Sequence, residues 1–329
     1  MYKKLNLKTL AIVLVILIAA AVAVYLSDSR KGERSFRAQL VDADTSRITT
    51  IVIYPKAEKE NAIELKKESD GWKVISGTNS YHADEMMVNN MLTLLAGLKP
   101  QRLAATEKTR WAEFDVTDSA AIRVKLYTGK KLATHLYVGR FSYQPPKNQY
   151  PYNYGQQGTM STFVRLANEN SVYSVEGFLG MSFGRNINDF RKKVVTRFNK
   201  EDLSRLSFTY PADSSFALVK EGDRWTINGL LCDSASVATY IDALSMLHSS
   251  YFVDEQKPLD DRSDLTLNIE GNNFAAPIVV KAFESDTTIR YIISSSLNRG
   301  AYFSGKGNDL ANRIFVSKNR FLKQQESEG

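Results

Sequence analysis

The chain repeats itself, weakly but in order, and that repetition limits the folds open to it. Asp44-Thr45-Ser46-Arg47-Ile48 returns as Asp202-Leu203-Ser204-Arg205-Leu206, and Tyr54-Pro55 returns as Tyr210-Pro211. ESDGWKVI (Glu68 to Ile75) returns as EGDRWTI (Glu221 to Ile227), which matches Trp72 with Trp225. Ala83-Asp84 returns as Cys232-Asp233. Four landmarks in the same order define two copies of one supersecondary unit, with longer connections in the first.

Each copy has a physical pattern. RITTIVIY and RLSFTY are short β-branched or alternating runs stopped by proline, which cannot donate to a sheet ladder. AIELKKESDGWKVI reads as a hairpin turning at Asp70-Gly71, with Trp72 and Trp225 as matched core anchors rather than ligand contacts. A helix follows in each copy. Asp84 and Asp233 are its N-caps, and Val88, Met91, Leu92 and Leu95, or Val237, Ile241, Leu244 and Leu247, form its apolar stripe. Alternating runs then predict an antiparallel meander: AIRVKLY, ATHLYVG, TFVRLA and SVYSV, then DLTLNI, PIVVKAF, IRYIIS and AYFSG. The expected fold class is α+β, with two repeated β-β-α-β(n) modules, each an antiparallel sheet covered by one main helix.

Ahead of the repeats, residues 10–26 (LAIVLVILIAAAVAVYL) carry no charge, a run just long enough to cross a bilayer as a helix. Lys3, Lys4 and Lys8 precede it and place the N-terminus in the cytoplasm. The alternative is a cleaved signal peptide, since Ala21-Val22-Ala23 has the form of a cleavage site. The expected organisation is a cytoplasmic tail (1–8), a transmembrane signal-anchor (9–27), a linker (28–44), two modules (45–196 and 197–322) and a disordered tail (323–329). The bulk then lies on the periplasmic side of a bacterial inner membrane.

The net charge of +7 does not indicate nucleic acid, because three of the cations lie in that N-terminal tail and no basic cluster follows a helical repeat. One cysteine, Cys232, excludes an intramolecular disulfide. Three histidines and that cysteine give no metal-ligand spacing, and no phosphate- or dinucleotide-binding motif is present, so no cofactor is expected. Gly180-Met181-Ser182-Phe183-Gly184 matches a nucleophile elbow, with Asp233 or Asp242 and His248 downstream. Its approach through Glu176-Gly177-Phe178-Leu179 lacks the buried strand an elbow needs, which leaves a serine hydrolase as the third reading.

One stretch departs from its surroundings. FSYQPPKNQYPYNYGQQG (Phe141 to Gly158) reads as a long insertion between the LYVGR and TFVRL strands. Tyr143, Tyr150, Tyr152 and Tyr154 are its candidate ligand or partner contacts, against the alternative that the rings pack on the sheet edge. It lies in a window between Asp118 and Glu169 without a single carboxylate, where Arg123, Lys125, Lys130, Lys131, Arg140, Lys147 and Arg165 are all basic. Such a bias suits an anionic partner, or a solvated strand face.

The order of ITTIVI, DGWKV, the Asp84-capped helix, WAEFDV, LYVGR, TFVRL, VYSVEGFL and DFRKK (Asp189 to Lys193) resembles the bacterial family of domain of unknown function 4340, over about residues 45–325. Where members of that family often carry Arg-Asp-Lys, this chain has Arg191-Lys192-Lys193. The resemblance implies a membrane-anchored extracytoplasmic protein, often associated with ABC-type export components, and brings no catalytic residues. The leading expectation is a non-enzymatic, single-pass accessory or scaffold protein that contacts the bilayer and ABC-transporter components. The alternative is an envelope module binding a glycan or other polymer through the tyrosine-rich stretch.

Overall fold

The computed structural model describes residues 14, 16–18, 37–41, 43–56, 61–145, 158–258 and 262–322. The fold is α+β, with large antiparallel sheets and several helices. The first copy runs β1 (Thr50–Tyr54), β2 (Ile63–Glu68), β3 (Gly71–Ser76), β4 (Asn79–His82), α1 (Glu85–Ala96) and β5 (Pro100–Ala105). It continues with β6 (Ile122–Thr128), β7 (Lys131–Gln144), β8 (Thr159–Leu166), β9 (Val172–Glu176), α2 (Gly180–Phe183), α3 (Ile187–Phe190) and β10 (Val194–Arg197). The second copy runs β11 (Leu203–Thr209), β12 (Phe216–Glu221), β13 (Arg224–Ile227), β14 (Leu230–Leu231), α4 (Ser234–Ser245) and β15 (Met246–His248). Its meander is β16 (Leu265–Gly271), β17 (Ile278–Glu284), β18 (Tyr291–Ser295) and β19 (Tyr302–Ser304), followed by α5 (Leu310–Ile314).

The expected membrane-spanning helix over 9–27 is corrected. Among the described residues no helix is long and apolar enough to cross a membrane. Of that segment, Leu14 and residues 16–18 are described, as exposed helical positions, and the rest lies outside the described residues. The uncharged run of seventeen residues sits at the lower limit of length for spanning. The bilayer contact, the single-pass inner-membrane placement and the extracytoplasmic location were built on that helix, and the accessory role beside ABC-transporter components was expected, through the family resemblance, of a membrane-anchored chain. They are withdrawn with it. The expected tail at 323–329 also lies outside the described residues.

The chain forms two compact units. Of the described residues, one holds those up to Ile48 together with those of Met91–Gly184; the other holds those of Thr49–Asn90 together with those from Arg185 onward. The opening strands of the first copy thus share a unit with the whole second copy.

In the second unit, one antiparallel sheet has the strand order β14-β13-β12-β11-β16-β17-β18-β19. The first-copy strands β4, β3, β2 and β1 pair in the same order as β14, β13, β12 and β11. Gly71 sits in the β2–β3 turn at φ +115°, and a Cβ there would lie 2.3 Å from Glu85 Oε1, so glycine is required. Alternation sends Leu206, Phe208, Leu218, Leu267, Ile269, Val280 and Ile293 into one core, where they join Val237, Tyr240, Ile241 and Leu244 of α4. Phe208 stacks on Phe216 at 4.5 Å, and the buried Tyr240 hydroxyl donates to the Ile314 carbonyl at 2.6 Å. Each fully buried large apolar side chain contributes about 1.5–3 kcal/mol.

The helix starts repeat to the atom. Ala83 N–H donates to the Trp72 carbonyl and Cys232 N–H to the Trp225 carbonyl, at 2.8 and 2.9 Å. Asp84 N–H donates to the Phe190 carbonyl and Asp233 N–H to that of Phe321, at 2.8 and 2.7 Å. Trp72 is buried, and Trp225 is half-buried against the core.

In the first unit the sheet order is β6-β7-β8-β9-β5. Six consecutive residues of β8, Ser161–Leu166, are buried, so this strand is covered on both faces. Phe114, at the end of a 3-10 turn over Lys108–Phe114, covers one face with Val116, packing on Tyr137 and Phe163.

Both aspartate caps accept from the backbone three residues on, Asp84 Oδ1 from Met87 N–H at 3.1 Å and Asp233 Oδ1 from Ser236 N–H at 2.8 Å. Asp84→Ala and Asp233→Ala are each expected to lower unfolding free energy by about 1 kcal/mol in urea denaturation, with Asp→Asn close to wild type. A loss in the asparagine variants as large as in the alanine variants would show that the cap hydrogen bond is not the cause.

Candidate interaction site

The aromatic stretch begins as strand, not as loop. β7 extends to Gln144 and pairs Phe141 with Thr162, Ser142 with Ser161, Tyr143 with Met160 and Gln144 with Thr159. The pairing register slips between Val138 and Phe141, at Gly139-Arg140. A Cβ on Gly139 would lie 2.1 Å from the Phe114 carbonyl oxygen, so the irregularity depends on glycine. Past it, Phe141 and Tyr143 share a face with Met160, which is paired directly across from Tyr143.

A turn is tied onto this end of the hairpin. Thr162 Oγ1 donates to the Gly177 carbonyl at 2.6 Å and accepts from Leu179 N–H, while Gly177 N–H donates to the Met160 carbonyl. The turn presents Phe178, whose ring centroid lies 4.7 Å from that of Phe141, and α2 follows with Met181. Phe141, Tyr143, Met160, Phe178 and Met181 are all exposed, from 37% to 60%. Tyr150, Tyr152 and Tyr154 lie outside the described residues.

The basic window resolves into different roles. Arg165 is buried, with its guanidinium between the Trp111 ring at 3.6 Å and the Tyr137 ring at 3.9 Å. It donates to the carbonyls of Val116 and Leu166, both at 3.2 Å. Tyr137 in turn donates to Asp118 at 2.5 Å, and Trp111 Nε1 donates to the Asn170 carbonyl. Arg123 and Lys125 pair across the strands with Tyr137 and His135, which places these cations on the same face. Lys130, Lys131 and Arg140 are exposed, and Lys147 lies outside the described residues.

His135 is the casualty of this crowding. Burial first, then Lys125, Arg123 and Arg165, lower its pKa to about 4. Its Nε2 has no hydrogen-bond partner among the described residues.

A second arginine is held in the other unit. α3 is closed at its N-terminus by a capping box between Asn186 and Asp189, and Arg191 leaves it in extended conformation. Arg191 bridges to Ala83, and Lys192 N–H donates to the His82 carbonyl. The Arg191 side chain is buried between Tyr81 at 3.5 Å and Phe252 at 3.6 Å. Two parallel bonds join it to Asp254, Nη1 to Oδ2 at 2.5 Å and Nη2 to Oδ1 at 3.0 Å, and Nη1 also donates to Asn188. Asp254 additionally accepts from Tyr302 N–H. Sequence reading used DFRKK only as a landmark. Extending the repeat would have flagged Arg191, because its second-copy counterpart, bridged to Cys232, is Leu322.

The family model for "Domain of unknown function (DUF4340)" matches residues 72–268, more than half of the chain. The chain belongs to the DUF4340 family. No curated protein and no solved structure matches it. The DUF4340 match opens on Trp72 and takes in Arg165, Arg191 and Asp254. The membrane anchoring that the resemblance implied is the part that does not stand, because no described helix can span a bilayer.

The candidate chemical groups of this DUF4340 chain are placed as follows. Ser182 lies on α2, reached through the turn that follows β9 rather than directly from a strand. Asp242 pairs with Lys200 at 2.6 Å, and Asp233 is occupied as a helix cap. Cys232 is buried, and burial pushes its thiol pKa up. His82 lies beside Lys73, 3.1 Å away, and burial with that lysine lowers its pKa. Among the described residues no group of three or more His, Cys, Asp or Glu is arranged to hold a metal.

Two outcomes test the electrostatics. Because the folded-state pKa of His135 is about 4 against an ordinary 6.5, the unfolded chain takes up that proton first. The corresponding stability is complete above pH 6.5 and is lost as pH falls towards 4, so His135→Gln should flatten the decline in the denaturation midpoint across that window. An unchanged slope would contradict the assignment. Arg165→Lys should cost about 2–4 kcal/mol, since an ammonium cannot lie flat between two rings while serving two carbonyls. A loss below about 0.5 kcal/mol in urea denaturation would contradict that, being the size of an ordinary surface substitution.

Proposed function

We propose that this chain is a non-enzymatic interaction module that engages another protein through the patch of Phe141, Tyr143, Met160, Phe178 and Met181. The observation that carries the reading is the exposed Phe141–Phe178 pair, held at 4.7 Å by a turn that is hydrogen-bonded to the hairpin. Rings fixed in this way present apolar area with little conformational entropy left to lose on binding. The methionines beside them adapt to an uneven partner. The Arg140 guanidinium turns over the Phe114 and Phe163 rings, and the exposed Glu176 lies two residues before Phe178, so the fitting partner surface is defined by apolar contact rather than by charge. Ser182, Asp233, Asp242 and Cys232 serve structural positions, which supports a binding role over catalysis.

The test is photocrosslinking from a benzoylphenylalanine placed at position 143 of the full chain in its own cells. A discrete crosslinked protein is expected, its crosslinked peptide rich in apolar residues. It should be lost in the Phe141→Ser/Phe178→Ser variant, with the melting temperature of that variant within a few degrees of wild type. Crosslinking that survives the double substitution, or none at all, would contradict the reading.

A further inference from the structure

A cavity of about 680 Å³ opens on the outer face of the sheet in the second unit, and its lining is basic. Lys257, Lys281 and Arg299 contribute to it, and among the described residues no carboxylate does. Its floor is a row across three strands. Lys281 of β17 is in register with Ser294 of β18, and Ser294 with Tyr302 of β19. Their chain neighbours Val280, Ala282, Ile293 and Phe303 enter the core, so alternation turns this row away from it. We infer that this cavity binds a tetrahedral dianion, inorganic phosphate or a small phosphate ester.

The groups that meet such a ligand are uncommitted. Among the described residues neither Lys257 nor Arg299 makes a hydrogen bond or an ion pair, and neither do the hydroxyls of Ser294 and Tyr302. Lys281 has an interaction of its own and adds to the positive field of the floor rather than a free donor. The rim is placed by backbone bonds. Val253 N–H donates to the Tyr302 carbonyl at 2.9 Å and Tyr302 N–H to Asp254, which brings Lys257 to one side. A turn closed from Ala301 N–H to the Asn298 carbonyl, with Gly300 at φ +82°, carries Arg299. The Asp254 carboxylate is held by Arg191 in two parallel bonds and does not line the cavity.

A dianion is attracted by both unpaired cations, whereas a neutral molecule leaves them without a counter-charge. The arginine fork fits two oxygens of one phosphoryl group. With cations at the rim and hydroxyls on the floor, donors approach from more than one side, which suits tetrahedral oxygens better than the single edge of a carboxylate. The volume falls within the usual range of small-molecule sites, so an organic group has room beside Pro258 and Val279. The inference does not depend on the partner patch of the other unit.

Isothermal titration calorimetry on the full chain tests it, with inorganic phosphate, glycerol phosphate and glucose phosphate as probes. Acetate, glycerol and glucose serve as comparisons. At least one phosphate probe should bind at least tenfold tighter than acetate, and neither glycerol nor glucose should bind. Tightest binding of inorganic phosphate identifies the free anion as the ligand, and tighter binding of either ester identifies the ester. Lys257→Gln/Arg299→Gln should weaken binding at least tenfold, with the melting temperature within a few degrees of wild type because both side chains are exposed. Ser294→Ala/Tyr302→Phe should weaken it severalfold. The inference is overturned if no phosphate probe binds, if acetate or glucose binds as tightly, or if the paired cation substitution has no effect.

Discussion

Two backbone hydrogen bonds organise the molecule: Asp84 N–H to the Phe190 carbonyl and Asp233 N–H to the Phe321 carbonyl. Each joins the first residue before a long helix to the end of a chain segment about a hundred residues downstream. The donors are among the amides that a helix start leaves without an internal partner. One residue earlier the Ala83 and Cys232 amides donate to the Trp72 and Trp225 carbonyls, so both copies enter their helices through the same pair of bonds. Phe190 and Phe321 are both completely buried, which couples these bonds to core packing. Loop closure on this scale is entropically expensive, and burial of a phenylalanine at each return offsets part of it.

Around this frame the chain buries two arginines and satisfies them differently. Arg165 has rings above and below and two carbonyls at its edge. Arg191 has rings above and below and a carboxylate at its edge. Breaking either arrangement leaves an uncompensated charge inside the protein, so each holds its surroundings in a single geometry. The first lies on the sheet whose far hairpin end carries the exposed aromatic pair. The second forms one wall of a polar cavity.

Much of the fold was legible in the sequence because it rests on local period and local chemistry. Val88, Met91 and Leu95, and Val237, Ile241 and Leu244, are buried as the helical spacing requires, and the two aspartates cap. β14 escaped notice because it is two residues long, and β10 and β15 because they depend on each other across the chain. The aromatic stretch misled at its start: prolines and tyrosines suggested a loop from Phe141, whereas cross-strand pairing carries β7 through Gln144. Arginine reads as surface in any single sequence. Only the return of Trp111 over Arg165, and of Phe252 and Asp254 over Arg191, makes them interior groups.

Native-state hydrogen exchange at the Asp84 and Asp233 amides tests this account most directly. If the Phe190 and Phe321 returns close the two copies, both amides exchange only through opening close to global unfolding, and Phe321→Ala accelerates Asp233 far more than Asp84. Exchange at either amide as fast as at a frayed helix start would contradict it.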